Sequence, residues 1–327
     1  MLKKGGGGRV EVRGTKADRP KIPGRTFPET LSHAWKFRGI YALGILPLAF
    51  FLVIRYLPLW NAQIAFKEFS PLDGVWGSPW NGLANFSAFF RSPYFWPLLR
   101  NTLMYSLAKL ILGIPAAVLL ALALYETGRR ALRKVVQTLA YLPHFLSWII
   151  LHGILLGLFS ASEGLFNEIN RAAGVGTVNY MGDPAVFPFI VVLSDLWKEM
   201  GWSAIIFLAA LMGIDPALFE SAQVEGASRL QQVRYITLPG ILEVVVVVAL
   251  LRIGTILDAG FHQLFVLYSV PVYDVGDIID TWVYRQGILN ADYSVATAVG
   301  LFKGLIGLGF LVAANRLAKR IAGSGLY

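Results

Sequence analysis

Lys198 and Glu199 interrupt an otherwise apolar run, "VFPFIVVLSDLWKEMGWSAIIFLAALM", with Trp197 and Trp202 beside them. Arg252, Asp258 and His262 interrupt another, "GILEVVVVVALLRIGTILDAGFHQLF". Lys303 lies in a third run, and His144 and His152 in a fourth. Ionisable groups inside such runs are costly and point by default to a function. Cations there can meet carboxylates, and planar side chains can stack on ring-shaped ligands. Lys198, Trp197, Trp202, Arg252, Asp258 and His262 are therefore the candidates for a polar, aromatic-lined substrate path. The competing reading is structural: charges pair between helices, Arg252 with an acid for example, and hold a bundle together. Asp258 and His262 are four apart, so on one continuous helix they share a face. Lys303 is expected to snorkel toward the outer surface. Glu243 is expected near the cytoplasmic end of its run, and Arg55 at the outer interface.

Several other chemistries are poorly served. Cysteine is absent, which removes disulfides and thiolate metal sites. Four scattered His residues lack the spacing of a zinc site. "DVGDIID" offers acids at 274, 277 and 280 but not the spacing or glycine of a calcium loop, and reads as an acidic outer loop. "GGGG" at 5–8 has no strand before it and no helix start after it, so it is linker rather than a phosphate loop. "NFS" at 85–87 is a glycosylation pattern that chance supplies often. No GxxxxGK[ST] occurs, so a nucleotide is not held here by a P-loop.

These candidates need apolar elements to hold them. The chain of 327 residues is 56% hydrophobic and only 15% charged, the balance of a polytopic membrane protein. Six runs are long enough to span, at about 39–60, 98–125, 135–159, 186–212, 240–265 and 295–315. The net charge of +9 first suggests nucleic acid, but ten of the 29 basic residues fall in positions 1–38, before the first run. In a membrane protein that is a topology signal, and no nucleic-acid partner is expected. Residues 1–37 have no apolar centre of the kind a signal peptide needs and read as a mobile cytoplasmic tail. Segment 126–134, "ETGRRALRK", and the end, "NRLAKRIAGSGLY", are also basic. The loops 61–97, 160–185 and 266–294 are poor in Lys and Arg. Both termini, the tail 321–327 and the 213–239 loop are thus expected in the cytoplasm. The long outer loop 61–97, rich in Trp, Pro and Gly, offers a surface to an extracytoplasmic partner or a lid over helix ends.

The 213–239 loop is far longer than a connector requires. Asp215-Pro216 is a helix start. Gly226 can end that helix in the left-handed conformation. Ser228 and Gln231 have the spacing of a capping box. Ala227, Leu230, Val233 and Ile236 then recur at helical intervals, which predicts a second amphipathic helix, and Pro239 marks the return to the membrane. Small residues Ser221, Ala222 and Gly226 near the corner would let another protein approach closely.

Glu220, Ser221, Ala222, Gly226, Ile236, Leu238 and Pro239 follow the pattern EAA-x3-G-x9-I-x-L-P, with Ser221 in place of the first Ala. In this the chain resembles the permeases of binding-protein-dependent ABC importers. "SDLWKEMGWSAIIFLAALMGIDPALFESAQVEGAS" and "VPVYDVGDIIDTWVYRQGILNADYSVATAVGLFKG" are similar to the branch that carries oligosaccharides, including those of alginate and polygalacturonate. The resemblance covers about 38–320 and implies an all-α, six-span type I importer permease in a bacterial inner membrane. It implies that the loop is the coupling helix, seated in a groove of a cytoplasmic ATPase dimer that binds ATP and Mg. It also implies a second, non-identical permease, an extracytoplasmic solute-binding protein and an oligosaccharide substrate. Membrane lipid surrounds the spans. Two further readings compete. A membrane-embedded enzyme on lipid-linked sugars would rest on Asp258 and His262 alone, and a secondary transporter on an internal repeat that inspection does not find.

Overall fold

The computed structural model describes residues 36–322. The expected tail 1–37 lies almost wholly outside the described residues, and 321–327 largely so. The chain divides into two compact units, 1–60 and 61–327. The first holds α1 (Arg38–Phe51) and a π turn, Leu52–Tyr56, and a 3-10 helix, Leu57–Phe66, leads from it into the second.

The second unit is also helical. After a loop and a short helix α2 (Ala84–Arg91), α3 (Phe95–Glu126) is its longest element. Then follow α4 (Arg130–Tyr141), α5 (Trp148–Phe159), α6 (Leu165–Ala172) and α7 (Phe187–Met212). The 213–239 segment supplies α8 (Pro216–Val224), and α9 spans Arg229–Gly254. Two short helices, α10 (Phe261–Leu267) and α11 (Ile279–Tyr284), precede the last long one, α12 (Tyr293–Ala322). Among the described residues four helices are long and apolar enough to cross a membrane, or up to six if each of two bent pairs is one span.

Three elements depart from the expected layout. The run 135–159 is not one helix: α4 ends at Tyr141, residues Leu142–Phe145 form a 3-10 turn, and α5 leaves at 109°. Pro143 has no N–H to continue the helix, and Ser147 restarts it by accepting from the Ile150 amide. The run 240–265 breaks as well. α9 stops at Gly254, and the chain turns through Ile256–Asp258, Ala259 at φ 48° and Gly260 at φ 87°. Asp258 and His262 therefore lie on either side of a corner and do not share a helix face. Finally, the second helix of the 213–239 loop is not separate from the fifth span. It is the first part of α9, and Pro239 sits inside it, just after a π turn at Val233–Thr237. That wider turn accommodates a residue that cannot donate a backbone hydrogen bond.

The core of the second unit has three centres. Ala117 and Ala121 of α3 face Ala204, Phe207 and Leu211 of α7 and Ile241 of α9; small residues let these long helices approach. Tyr105, Leu155, Phe187, Ile190, Leu264 and Ile278 join α3, α5, α7 and α10 to the loop before α11. Phe89, Leu98, Ile279, Trp282 and Val299 pack α2, α3, α11 and α12. Around these, Ile111, Leu119, Phe189, Leu251 and Leu305 point outward, as apolar surroundings allow.

Candidate functional site: a charged cavity and a helical foot

The corner between α9 and α10 opens onto a cavity of about 290 Å³. Its wall carries Lys109 of α3, Asp195 and Glu199 of α7, Arg252 of α9, and Asp258 on the corner itself. Lys109 Nζ lies 3.2 Å from Asp195 and donates to the Ala259 carbonyl at 3.0 Å and to Gln263 Oε1 at 2.5 Å. Gln263 is fully buried and donates to the Val191 carbonyl (2.7 Å) and Ser194 Oγ (2.9 Å). Ser106 Oγ donates to the Ile256 carbonyl. The backbone groups freed by the broken helix are thus taken up by side chains of α3, the condition for irregular backbone at membrane depth. Gly260 has a positive φ, and a Cβ there would also meet Lys109 Nζ, so the corner is held by conformation and by its lysine.

Each sequence candidate has a definite place. Arg252 lines the cavity, and its Nη2 donates to Ser203 Oγ at 2.7 Å; among the described residues it has no ion-pair partner. The Arg252–acid pair of the competing structural reading is not formed among the described residues. Lys303 does not snorkel. Its Nζ lies 2.7 Å from Asp280 and 2.5 Å from Asp258, joining α12 to α11 and to the corner. Lys198 donates to the carbonyls of Pro143 (3.2 Å), His144 (2.6 Å) and Leu146 (2.7 Å). All three of its N–H groups are used in closing the break between α4 and α5. Glu199 contacts His144 Nδ1 at 3.0 Å, and the His144 ring stacks on Trp202 at 4.5 Å. Trp197 turns to a separate apolar groove with Phe159, Phe166, Tyr180 and Phe189. His262 is exposed and lies outside the cavity. His152 is part of α5, and its Nδ1 is buried without a hydrogen bond.

The structure therefore brings together Glu199, Arg252 and Asp258, and separates Trp197 and His262 from them. Sequence reasoning missed Lys109, Asp195, Ser106 and Gln263. The signal for the first two was present: both are ionisable residues inside spanning runs. No cluster of three or more His, Cys, Asp or Glu suited to a metal ion occurs among the described residues. Two of the three acids of "DVGDIID" find side-chain partners. Asp277 pairs with Arg285 and accepts from Thr281 Oγ1 at 2.5 Å, while Asp280 meets Lys303. Burial raises the Asp280 carboxyl above its ordinary range, against the lowering effect of Lys303.

At the other end of α3 lies the helical foot. Asp215 caps α8 by accepting from the Ala217 amide at 2.9 Å, with Pro216 in its first turn. Ser221 Oγ donates to the Ala217 carbonyl, and the Ala222 carbonyl accepts from the Ala227 amide at 2.9 Å. Gly226 stands at φ +80°. Ser228 and Gln231 form both bonds of a capping box at the start of α9. α8 meets α7 at 68°. Glu220 is exposed, Ile236 is half-buried in the π turn, and Leu238 and Pro239 are exposed beyond it. Leu218, Val224, Leu230 and Tyr235 present apolar surface, Val224 with 90% of its area exposed. Arg229 ties the foot to Glu126, the last residue of α3, at 2.8 Å.

Residues 113–323 match the family described as the binding-protein-dependent transport system inner membrane component. Protein LplB of Bacillus subtilis is 39% identical over 290 residues, covering 89% of this chain and 91% of the relative. The polygalacturonan/rhamnogalacturonan transport system permease YteP of the same organism is 41% identical over 286 residues, covering 87% and 89%. The fold is similar to that of a chain in the crystal structure of a bacterial ABC transporter involved in import of the acidic polysaccharide alginate. There the TM-score is 0.83 and the identity 37%, with 89% of this chain and 99% of that chain covered. The cavity between broken helices and the foot beneath it accordingly belong to a member of the binding-protein-dependent inner membrane component family, an ABC-importer permease that is a transport subunit and leaves ATP to a partner chain.

Proposed function

We propose that this permease carries oligosaccharides, acidic ones of the alginate or pectin type, into the cytoplasm. It would pair with a second, non-identical permease and receive substrate from an extracytoplasmic binding protein. The 213–239 segment would seat in an ATPase dimer, and both termini would lie in the cytoplasm. YteP is named for polygalacturonan and rhamnogalacturonan transport. A solved relative of TM-score 0.84 and 35% identity was captured with an alginate pentasaccharide-bound periplasmic protein. The basic segments flanking the spans support the orientation.

The observation that carries the substrate reading is Arg252. Other cations at or near the cavity are engaged: Lys109 by Asp195, Lys303 by Asp258 and Asp280, and Lys198 by carbonyls. Arg252 holds only a serine hydroxyl and reaches the cavity wall. A guanidinium so placed suits a uronate carboxylate, which it can engage through two parallel hydrogen bonds. Glu199 and Asp258, on the same wall, can accept from sugar hydroxyls. The test is uptake by the reconstituted transporter carrying Arg252→Ala, with uronate and neutral oligosaccharides compared. We expect uronate uptake to fall at least tenfold more than neutral uptake. Equal loss of both would assign Arg252 to the bundle and remove the acidic specificity.

A further inference from the structure

A second cavity, of about 530 Å³, lies at the start of α3, the end remote from the foot. Its wall includes Tyr94, Asn101, Asp274, Trp282, Arg285 and Gln286. Rings set among carboxylate, amide and guanidinium groups suit one ligand chemistry well. The C–H face of a sugar ring stacks on an aromatic ring, and pairs of hydroxyls bridge planar polar groups. Pockets of this kind pair apolar walls with a few placed polar groups.

The groups differ in what they leave free. Asn101 is spent on the carbonyls of Asp274 and Asp277 at 3.0 and 2.9 Å. Arg285 is clamped on Asp277 and also donates to the Tyr268 hydroxyl at 3.2 Å. Burial alone would lower the Arg285 pKa, but Asp277 and Tyr268 outweigh it and hold the guanidinium above its ordinary range. Tyr94, 56% exposed, has a free ring, and the Asp274 carboxylate makes no hydrogen bond or ion pair among the described residues. The pocket therefore presents a stacking face and a hydroxyl acceptor, with its cation already neutralised.

Asn101 and Lys109, at the two cavities, stand eight apart on one face of α3, with Tyr105 midway. At about 1.5 Å per residue the two positions are separated by about 12 Å. Tyr105 is fully buried, and its hydroxyl donates to the Val275 carbonyl at 2.8 Å.

We propose that the Tyr94–Asp274 pocket is an outer carbohydrate subsite. It binds a sugar unit by its ring face and hydroxyls while the leading unit occupies the Arg252 cavity. This rests on the oligosaccharide reading above. A chain too short to bridge the two positions engages one of them at a time, whereas a longer one engages both.

The experiment uses the full transporter with its partner subunits and binding protein in proteoliposomes, probed with alginate disaccharide and pentasaccharide. Tyr94→Ala should raise the half-saturating concentration of pentasaccharide about tenfold and shift the disaccharide less than twofold. Tyr94→Phe, which keeps the ring, should restore the pentasaccharide value, and Asp274→Asn should give a smaller, several-fold rise. An equal shift for both lengths would assign Tyr94 to docking of the binding protein and overturn the subsite, as would no shift for either. If the unaltered transporter takes up neither probe, the alginate reading fails, and the subsite proposed for that chain fails with it.

Discussion

The foot and the cavity of this permease are built by opposite rules. In the foot nearly every stabilising bond is local: Asp215 to Ala217, Ser228 to Gln231, Ala222 to Ala227. In and around the cavity the partners are distant in sequence. Lys198 reaches a carbonyl 55 residues away, Arg252 a hydroxyl 49 away, and Lys109 a carbonyl 150 away. The foot can keep its shape while it is pushed as a unit, because its geometry is contained within it. The cavity depends on which helix faces meet, so a relative shift of α3, α7, α9 and α12 changes its charges. Under the proposed function the foot would receive force and the cavity would alternate between states, and the two bonding patterns suit those needs.

Substitutions should separate the two regions. The largest effect is expected at Lys303. Lys303→Met leaves Asp280 uncompensated at 21% side-chain exposure and should cost roughly 3 kcal/mol. Asp258, at 58% exposure, should contribute little to that loss. Thermal unfolding of the purified assembly measures it. Pairing the change with Asp280→Asn should recover much of the loss, and no recovery would break the ion-pair account. Next comes Lys198→Met, which strands the carbonyls of residues 143, 144 and 146 and should cost roughly 2 kcal/mol. Faster amide exchange confined to α4, α5 and the turn between them is the expected signature.

Gly226→Val should cost about 1–2 kcal/mol through backbone conformation alone, since a Cβ there meets no atom within 4 Å. Uptake and substrate-stimulated ATP hydrolysis should be lost together while the unfolding midpoint of the assembly moves little; Gly226→Asn should be milder. Retained uptake with Val would sink the claim that this corner couples to the ATPase. Ser228→Ala should be smallest, at about 1 kcal/mol, with faster exchange limited to 228–232 and no change in substrate preference. A change in preference would show that foot and cavity are less separable than their bonding implies.

The departures from expectation have one physical origin. Apolarity over 135–159 and 240–265 reports that a segment avoids water, not that its helix is continuous. Pro143 and Gly260 are residue types that break helices, but a breaker in a membrane run is tolerated only if neighbours satisfy the freed backbone. Those neighbours, Lys198 on α7 and Lys109 and Ser106 on α3, come from elsewhere in the chain. Lys109 and Asp195 could have been picked out by the same reasoning that flagged Arg252, whereas their pairing could not. Lys303 illustrates the limit: its position suggested a side chain reaching for the surface, and two carboxylates from α11 and the corner turned it inward.

By itself the sequence determined the helical class, the apolar spans, the caps of α8 and α9, and the left-handed corner at Gly226. All of these follow from composition or from contacts within a few residues. Only the tertiary structure decided which charges are spent and which remain available. Lys198 was assigned to carbonyls, Lys303 to carboxylates and Arg252 to the cavity wall by the faces that α3, α7, α9 and α12 turn to one another. Spacing along the chain carries no record of that choice.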